Sequence, residues 1–203
     1  MKIHNFEQGT PEWFKVRELK LTASHATAIA NCGKGLDTYV VKLISEYYSS
    51  AEKTNIETKD TERGNEYEPV ARSVYEFENN VTVEQVGFIE HNEFVGCSPD
   101  GLVGEDGGLE IKCVNDENYV YYLLDGEKEI KSDYIWQIQM NLLITGRKWW
   151  DLVIYNPNFK NSMLTFRIFP VEEKFEKLRE GFKLGVEKIK IIKDKIEKNT
   201  NVK

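Results

Sequence analysis

The sequence predicts an α/β protein in which strands and helices alternate along one chain. Polar and apolar residues alternate in short stretches such as 108–113 and 81–95, as they do in half-buried strands. In longer stretches such as 38–50, apolar residues recur at three- and four-residue spacing, as in helices that pack on a core. A length of 203 residues suits one ordinary domain, and we expect a single domain over residues 1–203.

Two short helices are predicted near the N-terminus. Pro11 suits the first turn of a helix that continues toward Leu19. Ser24 precedes an alanine-rich segment and is the natural N-cap there. A capped helix start with Arg17 shortly before it could bind a phosphate. Alternatively, Ser24 only caps the helix and Arg17 only pairs with a nearby glutamate.

The middle of the chain predicts helices separated by a polar segment. Residues 38–50 indicate a core helix, and residues 51–62 are polar and irregular, which predicts an exposed loop. Residues 64–79 indicate another helix, with Glu68 in its first turn. An acidic residue there is ordinarily a surface residue favoured by the helix dipole. Glu68 becomes a site residue only if that turn meets other carboxylates.

The C-terminal half predicts both strands and helices. Gln137 is a polar residue in an otherwise apolar helix that ends at Gly146, so it either bonds the backbone or reaches into a site. The predicted elements here are strands at 149–155 and 163–169, and helices at 132–145 and about 171–198.

Residues 97–113 carry the most informative pattern. Glu110 and Lys112 are separated by Ile111, so they lie on the same face of a short strand. Asp100 stands at the other end of a glycine-rich turn, and a hairpin there would return it beside Glu110. Two carboxylates and an ammonium group would form an oxygen-lined site for Mg²⁺ or Mn²⁺, which suits phosphodiester hydrolysis.

Each half of this pattern also has an ordinary explanation. A Glu-x-Lys pair is usually a solvated strand face, and Pro-Asp-Gly is usually a turn. In this order, with Asp100 ten residues before Glu110, they match the P-D…(D/E)-x-K signature of restriction-endonuclease-like nucleases.

Composition excludes few classes of function. The chain is 40% hydrophobic and 30% charged, without a long apolar run or a secretory leader, so we expect a cytoplasmic protein without a membrane segment. Three scattered cysteines are too few for a disulfide framework or a zinc cluster. A net charge of −7 argues against a general nucleic-acid coat protein, but a nuclease needs only a basic substrate path.

Five sequence blocks make the chain similar to a known family. They are W-F-K-V-R with L-T-A-S, G-N-E-Y-E-P-V-A-R, C-S-P-D-G-L, L-E-I-K-C, and Y-I-W-Q-I-Q followed by Thr145-Gly146. In this order, over about residues 8–157, they resemble the lambda exonuclease family of YqaJ-like phage-type alkaline exonucleases. The resemblance implies a restriction-endonuclease-like core, with a central mixed β-sheet flanked by helices.

The resemblance also implies roles for individual residues. Lys112 would orient or deprotonate the attacking water and stabilise charge on the phosphate, and Gln137 would pack beside it. Arg17, Ser24 and Ser98 would grip a terminal 5′-phosphate, with Lys34 as a further basic contact. The implied metal ligands are Asp100, Glu110, the main-chain carbonyl of Ile111, and Glu68.

The activity implied is 5′-to-3′ digestion of linear double-stranded DNA. One or two Mg²⁺ ions, with Mn²⁺ as a substitute, would serve a reaction that releases 5′-mononucleotides. The remaining 3′ overhang would pass to a single-strand annealing protein. The resemblance further implies a ring-shaped homotrimer with DNA in a basic channel, which would reconcile DNA processing with an acidic chain.

Two other functions remain open at this stage. The first is an endonuclease of the same fold, which would not need the pocket of Arg17, Ser24 and Ser98. An exonuclease with an iron–sulfur cluster is excluded because three scattered cysteines cannot hold the cluster. The second is an inactive DNA-end-binding protein, although competent residues fill every catalytic position. In helicase-nucleases a tyrosine follows the glutamine four residues later. This pattern is not kept, because Asn141 stands four residues after Gln137.

Overall fold

The computed structural model describes residues 1–50 and 59–200, and within them it confirms the predicted α/β fold class. The strands are β1 (Lys2–His4), β2 (Leu21–Thr22), β3 (Val83–Glu84), β4 (Phe88–Asn92), β5 (Val95–Cys97), β6 (Gly101–Val103), β7 (Gly107–Cys113), β8 (Trp149–Tyr155) and β9 (Met163–Ile168). The helices are α1 (Pro11–Val16), α2 (Ala26–Asn31), α3 (Lys34–Tyr48), α4 (Lys59–Asn79), α5 (Asp116–Asp125), α6 (Ser132–Thr145) and α7 (Glu172–Thr200).

The strands of the described residues form two mixed sheets. One has the order β1-β4-β5-β2, in which β2 and β5 run parallel. The other has the order β3-β6-β7-β8-β9, in which β7 and β8 run parallel over seven paired residues. The other neighbouring strands are antiparallel. Each sheet therefore contains one parallel pair, and the carboxyl ends of both pairs border the sites described below.

Helices cover both faces of the sheet that contains β7 and β8. Leu152 and Ile154 of β8 belong to the larger apolar core, which also contains residues of α6 and α7. Val153 and Tyr155 alternate with them and pack with Ala71 of α4 on the opposite face. Strand β8 is almost fully buried for this reason.

The close approach of α7 to α2 depends on a glycine. A Cβ atom at Gly181 would lie 2.1 Å from the carbonyl oxygen of Ile29, so any other residue would push the two helices apart. Helix α7 itself agrees with the helix predicted at about 171–198. Among the described residues, no helix combines the length and the hydropathy needed to span a membrane.

Two predicted boundaries are wrong. Helix α1 ends at Val16, and Leu19 lies beyond it with a φ of 55°, although its side chain is buried. The loop predicted at 51–62 is helical from Lys59 onward, while residues 51–58 lie outside the described part of the chain. Residues 59–63 are polar, so they carry no apolar stripe that would have indicated a helix.

Candidate active site

Asp100 lies where β6 and β7 separate. The two strands form the predicted hairpin, with Gly101 opposite Leu109, and this pairing returns Asp100 to the second half of β7. Oδ2 of Asp100 accepts a hydrogen bond from the backbone N–H of Ile111 at 2.6 Å. Because the ladder between β6 and β7 ends at Gly101, the side chain of Asp100 satisfies a donor that β6 no longer reaches.

Glu110 and Lys112 project from the same face of β7, as predicted. Nζ of Lys112 donates to Oε1 of Glu110 at 2.6 Å. The Glu110 residue is only 1% exposed, so its carboxyl group requires internal donors. A salt bridge between residues two apart on a strand fixes both groups beside the backbone of Ile111.

Gln137 reaches into this group from α6, which settles the two possibilities left by the sequence. Its Nε2 donates to Oε1 of Glu110 at 2.5 Å. Its Oε1 accepts from Nζ of Lys112 at 3.2 Å. The amide of Gln137 therefore contacts the carboxyl group of Glu110 and the ammonium group of Lys112 at the same time. The three side chains form a closed hydrogen-bonded triangle.

Asn141 is a fourth member of the group that sequence reasoning missed. It lies one turn after Gln137, is fully buried, and has its Nδ2 3.4 Å from Oε2 of Glu110. Its Oδ1 is buried without a hydrogen-bond partner in the described part of the chain. A second polar residue four positions after Gln137, on the same apolar helix face, was the signal available in the sequence.

Glu68 approaches the site from α4, but not from the first turn of that helix. The helix starts at Lys59, so Glu68 lies well inside it, just before Pro69. Its carboxylate forms an ion pair with Arg72, one turn later. Arg72 is buried, and its Nε has no hydrogen-bond partner among the described residues. Glu68 is thus near the site, and its carboxylate is already paired with the guanidinium of Arg72.

The acidic side chains repel one another in a buried environment. Burial, followed by the charge of Asp100, raises the pKa of Glu110 to about 8. The same two causes raise the pKa of Glu68 to about 7, and burial raises the pKa of Asp100. Burial lowers the pKa of Lys112, but Glu110 and Asp100 more than offset it, so that pKa is raised overall. Lys112 is therefore a cation at neutral pH.

The donor set of this cluster fits a hard divalent cation. Mg²⁺ typically takes one or two carboxylates and retains several waters. Asp100 and Glu110 supply two carboxylates whose mutual repulsion a cation would relieve. Within the described residues, three His, Cys, Asp or Glu side chains do not come close enough to form a metal-binding cluster. This agrees with Glu68 being held by Arg72, and it leaves a two-carboxylate site.

A second group of side chains surrounds Ser98. Arg17 and Trp13 both donate to Oγ of Ser98, from Nη1 and Nε1 respectively, each at 2.9 Å. The guanidinium of Arg17 lies 4.0 Å from the centre of the Trp13 ring. Among the side chains that the structure describes, no ion pair joins Arg17 to Glu12, and burial lowers the pKa of Arg17. A desolvated guanidinium favours contact with an anion.

Ser24 does not cap a helix. Residues Ala23–His25 form a 3₁₀ turn, and α2 begins at Ala26 with His25 at the N-cap and no side-chain hydrogen bond to the helix. The 3₁₀ turn places the hydroxyl group of Ser24 beside Oγ1 of Thr22, at 3.3 Å, and beside Nδ1 of His25, at 3.2 Å. The predicted cap is therefore wrong, because local side-chain contacts replace it.

The strand register relates Ser24 to Ser98, but not Lys34. Thr22 of β2 pairs in parallel with Gly96 of β5. Ser24 and Ser98 each lie two residues beyond this pair, so they follow their strands at the same end of the sheet. Lys34 is exposed at the first residue of α3. In the part of the chain that the structure describes, it forms no hydrogen bond or ion pair with Arg17, Ser24 or Ser98.

A cavity of about 430 Å³ opens beyond the carboxyl ends of β7 and β8. It begins two residues after Lys112 and includes the neighbour of Glu68 on α4. The lining residues are Arg63, Tyr67, Val114, Asn115, Asp116, Glu117 and 156–158. The cavity thus adjoins the elements that carry Lys112 and Glu68, but neither of these residues lines it.

Comparison with known proteins gives a consistent result. The model of the YqaJ-like viral recombinase domain family matches residues 12–148. An alkaline exonuclease from Laribacter hongkongensis is 28% identical, with a TM-score of 0.85 over 95% of this chain and 98% of that chain. The complex of that enzyme with dAMP is equally similar.

Two other matches add less. A phage-related exonuclease from Haemophilus somnus has a TM-score of 0.69 over 90% of this chain and 98% of that chain, but at 15% identity it shows the fold alone. An uncharacterized protein of Acanthamoeba polyphaga mimivirus is 30% identical over 53% of this chain. This chain covers only 20% of that viral protein, so the two differ greatly in length.

Proposed function

The chain belongs to the family of YqaJ-like viral recombinase domains, and on that premise we propose that it is a metal-dependent exonuclease of DNA recombination. Its substrate is linear double-stranded DNA. Digestion proceeds from the 5′ end, releases 5′-mononucleotides and leaves a 3′ single-stranded overhang. The binding of dAMP by the similar Laribacter hongkongensis enzyme supports a nucleotide-sized site in this fold.

One observation carries the proposal. Glu110, Lys112 and Gln137 form a hydrogen-bonded triangle around the buried Glu110, and Asp100 is fixed on the adjoining strand. Two buried acids with raised pKa values do not stabilise a fold, because desolvation opposes their charge. Acids with pKa values raised in this way are typical of catalytic sites. A protein that only held DNA ends would not need them.

In this mechanism Lys112 acts as a cationic hydrogen-bond donor. Its raised pKa keeps it protonated, which suits it to orienting the water or stabilising charge on a phosphate oxygen better than to removing a proton. Gln137 holds Lys112 and Glu110 at fixed positions, so little reorganisation is needed when charge develops during the reaction.

The proposed cofactor is Mg²⁺, one or two ions, with Mn²⁺ as a substitute. When bound, the cation supplies polarisation of the phosphate and activation of water. Asp100, Glu110 and the main-chain carbonyl of Ile111 would hold it, and Glu68 would be the additional acid of the site. Glu68 would have to leave Arg72, at least in part, to serve as a direct ligand.

The group around Ser98 supports the direction of digestion. The guanidinium of Arg17 is desolvated and bonds Ser98, and Ser24 leaves the sheet beside Ser98. A terminal 5′-phosphate would give this guanidinium a negatively charged partner, and we assign this pocket to it. Lys34 remains a prediction without a supporting contact.

Assembly and partners follow from the family resemblance. We propose a homotrimeric ring with DNA in a basic channel. Such a channel would let a chain with a net charge of −7 process DNA. A single-strand annealing protein would receive the overhang, and the complex would act in the cytoplasm. Sedimentation of the purified protein tests the trimer without reference to its activity.

The decisive experiment compares linear duplexes that carry 5′-phosphate, 5′-hydroxyl or covalently closed ends, in Mg²⁺ and in EDTA. Loss of the open duplexes only in Mg²⁺, fastest for 5′-phosphate, is the expected result. Cutting of closed DNA would indicate an endonuclease. If no duplex is cut, and Asp100→Ala binds DNA ends as the unchanged protein does, the end-binding function replaces the enzyme.

A further inference from the structure

His25 contacts Ser24, one residue of the 5′-phosphate pocket proposed above, although no sequence motif marks it. Its ring stacks on the ring of Tyr39 with centroids 3.9 Å apart and planes inclined by only 4°. Its Nδ1 lies 3.2 Å from Oγ of Ser24. Its Nε2 has no hydrogen-bond partner among the side chains and backbone groups that the structure describes. The imidazole is thus fixed by one ring and one hydroxyl, with one nitrogen available to a ligand.

The hydrogen bonds of Tyr39 determine which nitrogen of His25 carries the proton. The hydroxyl of Tyr39 donates to the carbonyl of Lys20 at 3.1 Å, so Oγ1 of Thr22 must donate to Tyr39. Thr22 then accepts the hydrogen of Ser24. Ser24 has no second hydrogen to give, so Nδ1–H of His25 donates to Ser24. In neutral His25, Nε2 is therefore the unprotonated nitrogen.

Two cations, Lys42 and Arg17, act on this imidazole. Burial, then the charges of Lys42 and Arg17, lower the pKa of His25 to about 4. The carboxylate of Asp133, on the neighbouring helix α6, accepts a hydrogen bond from Oγ1 of Thr27 at 2.6 Å. The charged or titratable groups on the surrounding elements are Arg17, Tyr39, Lys42, Glu46, Cys97 and Asp133.

We infer that His25 determines the specificity of this pocket for a terminal phosphate, by taking up a proton from solvent when the phosphate binds. The inference rests on the 5′-phosphate pocket proposed above. The phosphate carries close to two negative charges near pH 7. It offsets the repulsion from Arg17 and Lys42, and the protonated Nε2 becomes a charge-assisted donor to it. Nδ1–H keeps its bond to Ser24 throughout.

Two substitutions separate the parts of this role. His25→Phe keeps a ring that can stack on Tyr39 but removes both nitrogens. His25→Asn retains an amide donor near the position of Nδ1 but cannot take up a proton. Arg17→Ala serves as the control that impairs the pocket by another route. Thermal unfolding establishes that each variant is folded, and if His25→Phe is not, His25→Asn carries the test.

Two measurements are made on duplexes that differ only in a 5′-phosphate or 5′-hydroxyl. The first is the ratio of kcat/KM for the two ends in Mg²⁺. The second is proton uptake on binding in EDTA, obtained from the binding enthalpy in two buffers of different ionisation enthalpy. We expect the unchanged protein to take up more protons than either His25 variant with the phosphorylated end. Both variants should lose about tenfold in end preference.

The outcomes distinguish this inference from the function on which it rests. If the unchanged protein prefers the phosphorylated end, and both His25 variants keep that preference and the same proton uptake, the role of His25 is overturned while the pocket stands. If the unchanged protein is indifferent to the phosphate, the pocket and the role of His25 are both overturned. Loss of preference in Arg17→Ala alone also overturns the role of His25.

Discussion

Nε2 of Gln137 lies 2.5 Å from Oε1 of Glu110, on a helix whose buried residues are otherwise apolar except for Gln139 and Asn141. The same amide accepts a hydrogen bond from Lys112 through its oxygen. A carboxylate at this position would repel Glu110, and an ammonium group would repel Lys112. An amide serves both neighbours, because it carries a donor and an acceptor on the same carbon atom.

Gln137→Leu should lower turnover without weakening DNA binding. The substitution removes a partner from both Glu110 and Lys112, so neither is held at a fixed position during the reaction. We expect kcat to fall by about 10- to 100-fold, in the range seen when a positioning hydrogen bond is lost. Steady-state digestion of a 5′-phosphorylated duplex gives kcat and KM separately.

Gln139 offers a matched control on the same helix. It is fully buried, whereas Gln137 is half-buried, and it bonds the carbonyl of Phe169 and the N–H of Val171, away from the site. Gln139→Leu should lower the melting temperature and leave kcat of the remaining folded protein unchanged. An equal fall of kcat in both variants would mean that Gln137 acts only by stabilising the fold.

Lys112→Ala should abolish most hydrolysis while the protein still binds DNA ends. The lysine is paired with Glu110, whereas the proposed pocket for the DNA end is the separate group around Ser98. A loss of roughly 10²- to 10⁴-fold in the single-turnover rate is expected for such a group. Fluorescence anisotropy in EDTA measures binding, and Lys148→Ala, an exposed lysine paired with Asp106, is the control. Parallel loss of rate and affinity would contradict the assignment.

Arg17→Lys should reduce the preference for phosphorylated ends although it conserves the charge. Arg17 bonds Ser98 while its planar guanidinium lies over Trp13, and a lysine ammonium group cannot reproduce both contacts. The rates on 5′-phosphate and 5′-hydroxyl ends should therefore approach each other, mainly through a higher KM for the phosphorylated duplex. Glu12→Gln, on α1, is expected to leave both rates as they are. A preference unchanged in Arg17→Lys would remove Arg17 from the pocket.

The sequence predicts some of these contacts better than others. The alternation of a strand places Glu110 and Lys112 on one face, and the glycine-rich turn brings Asp100 beside them, since both rules act over a few residues. The contact of Arg17 with Ser98 joins positions 81 apart in sequence. No local periodicity encodes such a contact, so only the resemblance to a family indicated it.

The errors have a common physical cause. Serine is a typical N-cap residue, but the hydroxyl group of Ser24 contacts the side chains of Thr22 and His25 instead of a helix N–H. Asn141 and Arg72 were missed because a buried polar residue is defined by its tertiary partners, which a single sequence does not display. Local propensity predicts the elements, and the packing between elements decides the polar contacts.

The metal-free protein should become less stable as pH rises between about 6.5 and 8. Burial and Asp100 raise the pKa of Glu110 to about 8, whereas an unfolded glutamate titrates near about 4.3. Between these values the folded protein retains a proton that the unfolded chain has released, so the free energy of unfolding decreases with rising pH. His25, with its pKa lowered to about 4, changes stability only below about 6.5.

Glu110→Gln removes that titrating group and should reduce the pH dependence of the melting temperature in EDTA, most clearly above about pH 7, where Glu68 no longer contributes. Glu66→Gln, an exposed substitution on α4, should retain the slope of the unchanged protein. The comparison uses slopes, because Glu110→Gln also loses the ion pair with Lys112 and so shifts the melting temperature at every pH. A melting temperature that stays level or rises with pH in the unchanged protein would show that Glu110 is already ionised when folded. The carboxyl group would then be held by Lys112 and Gln137 strongly enough to outweigh its burial.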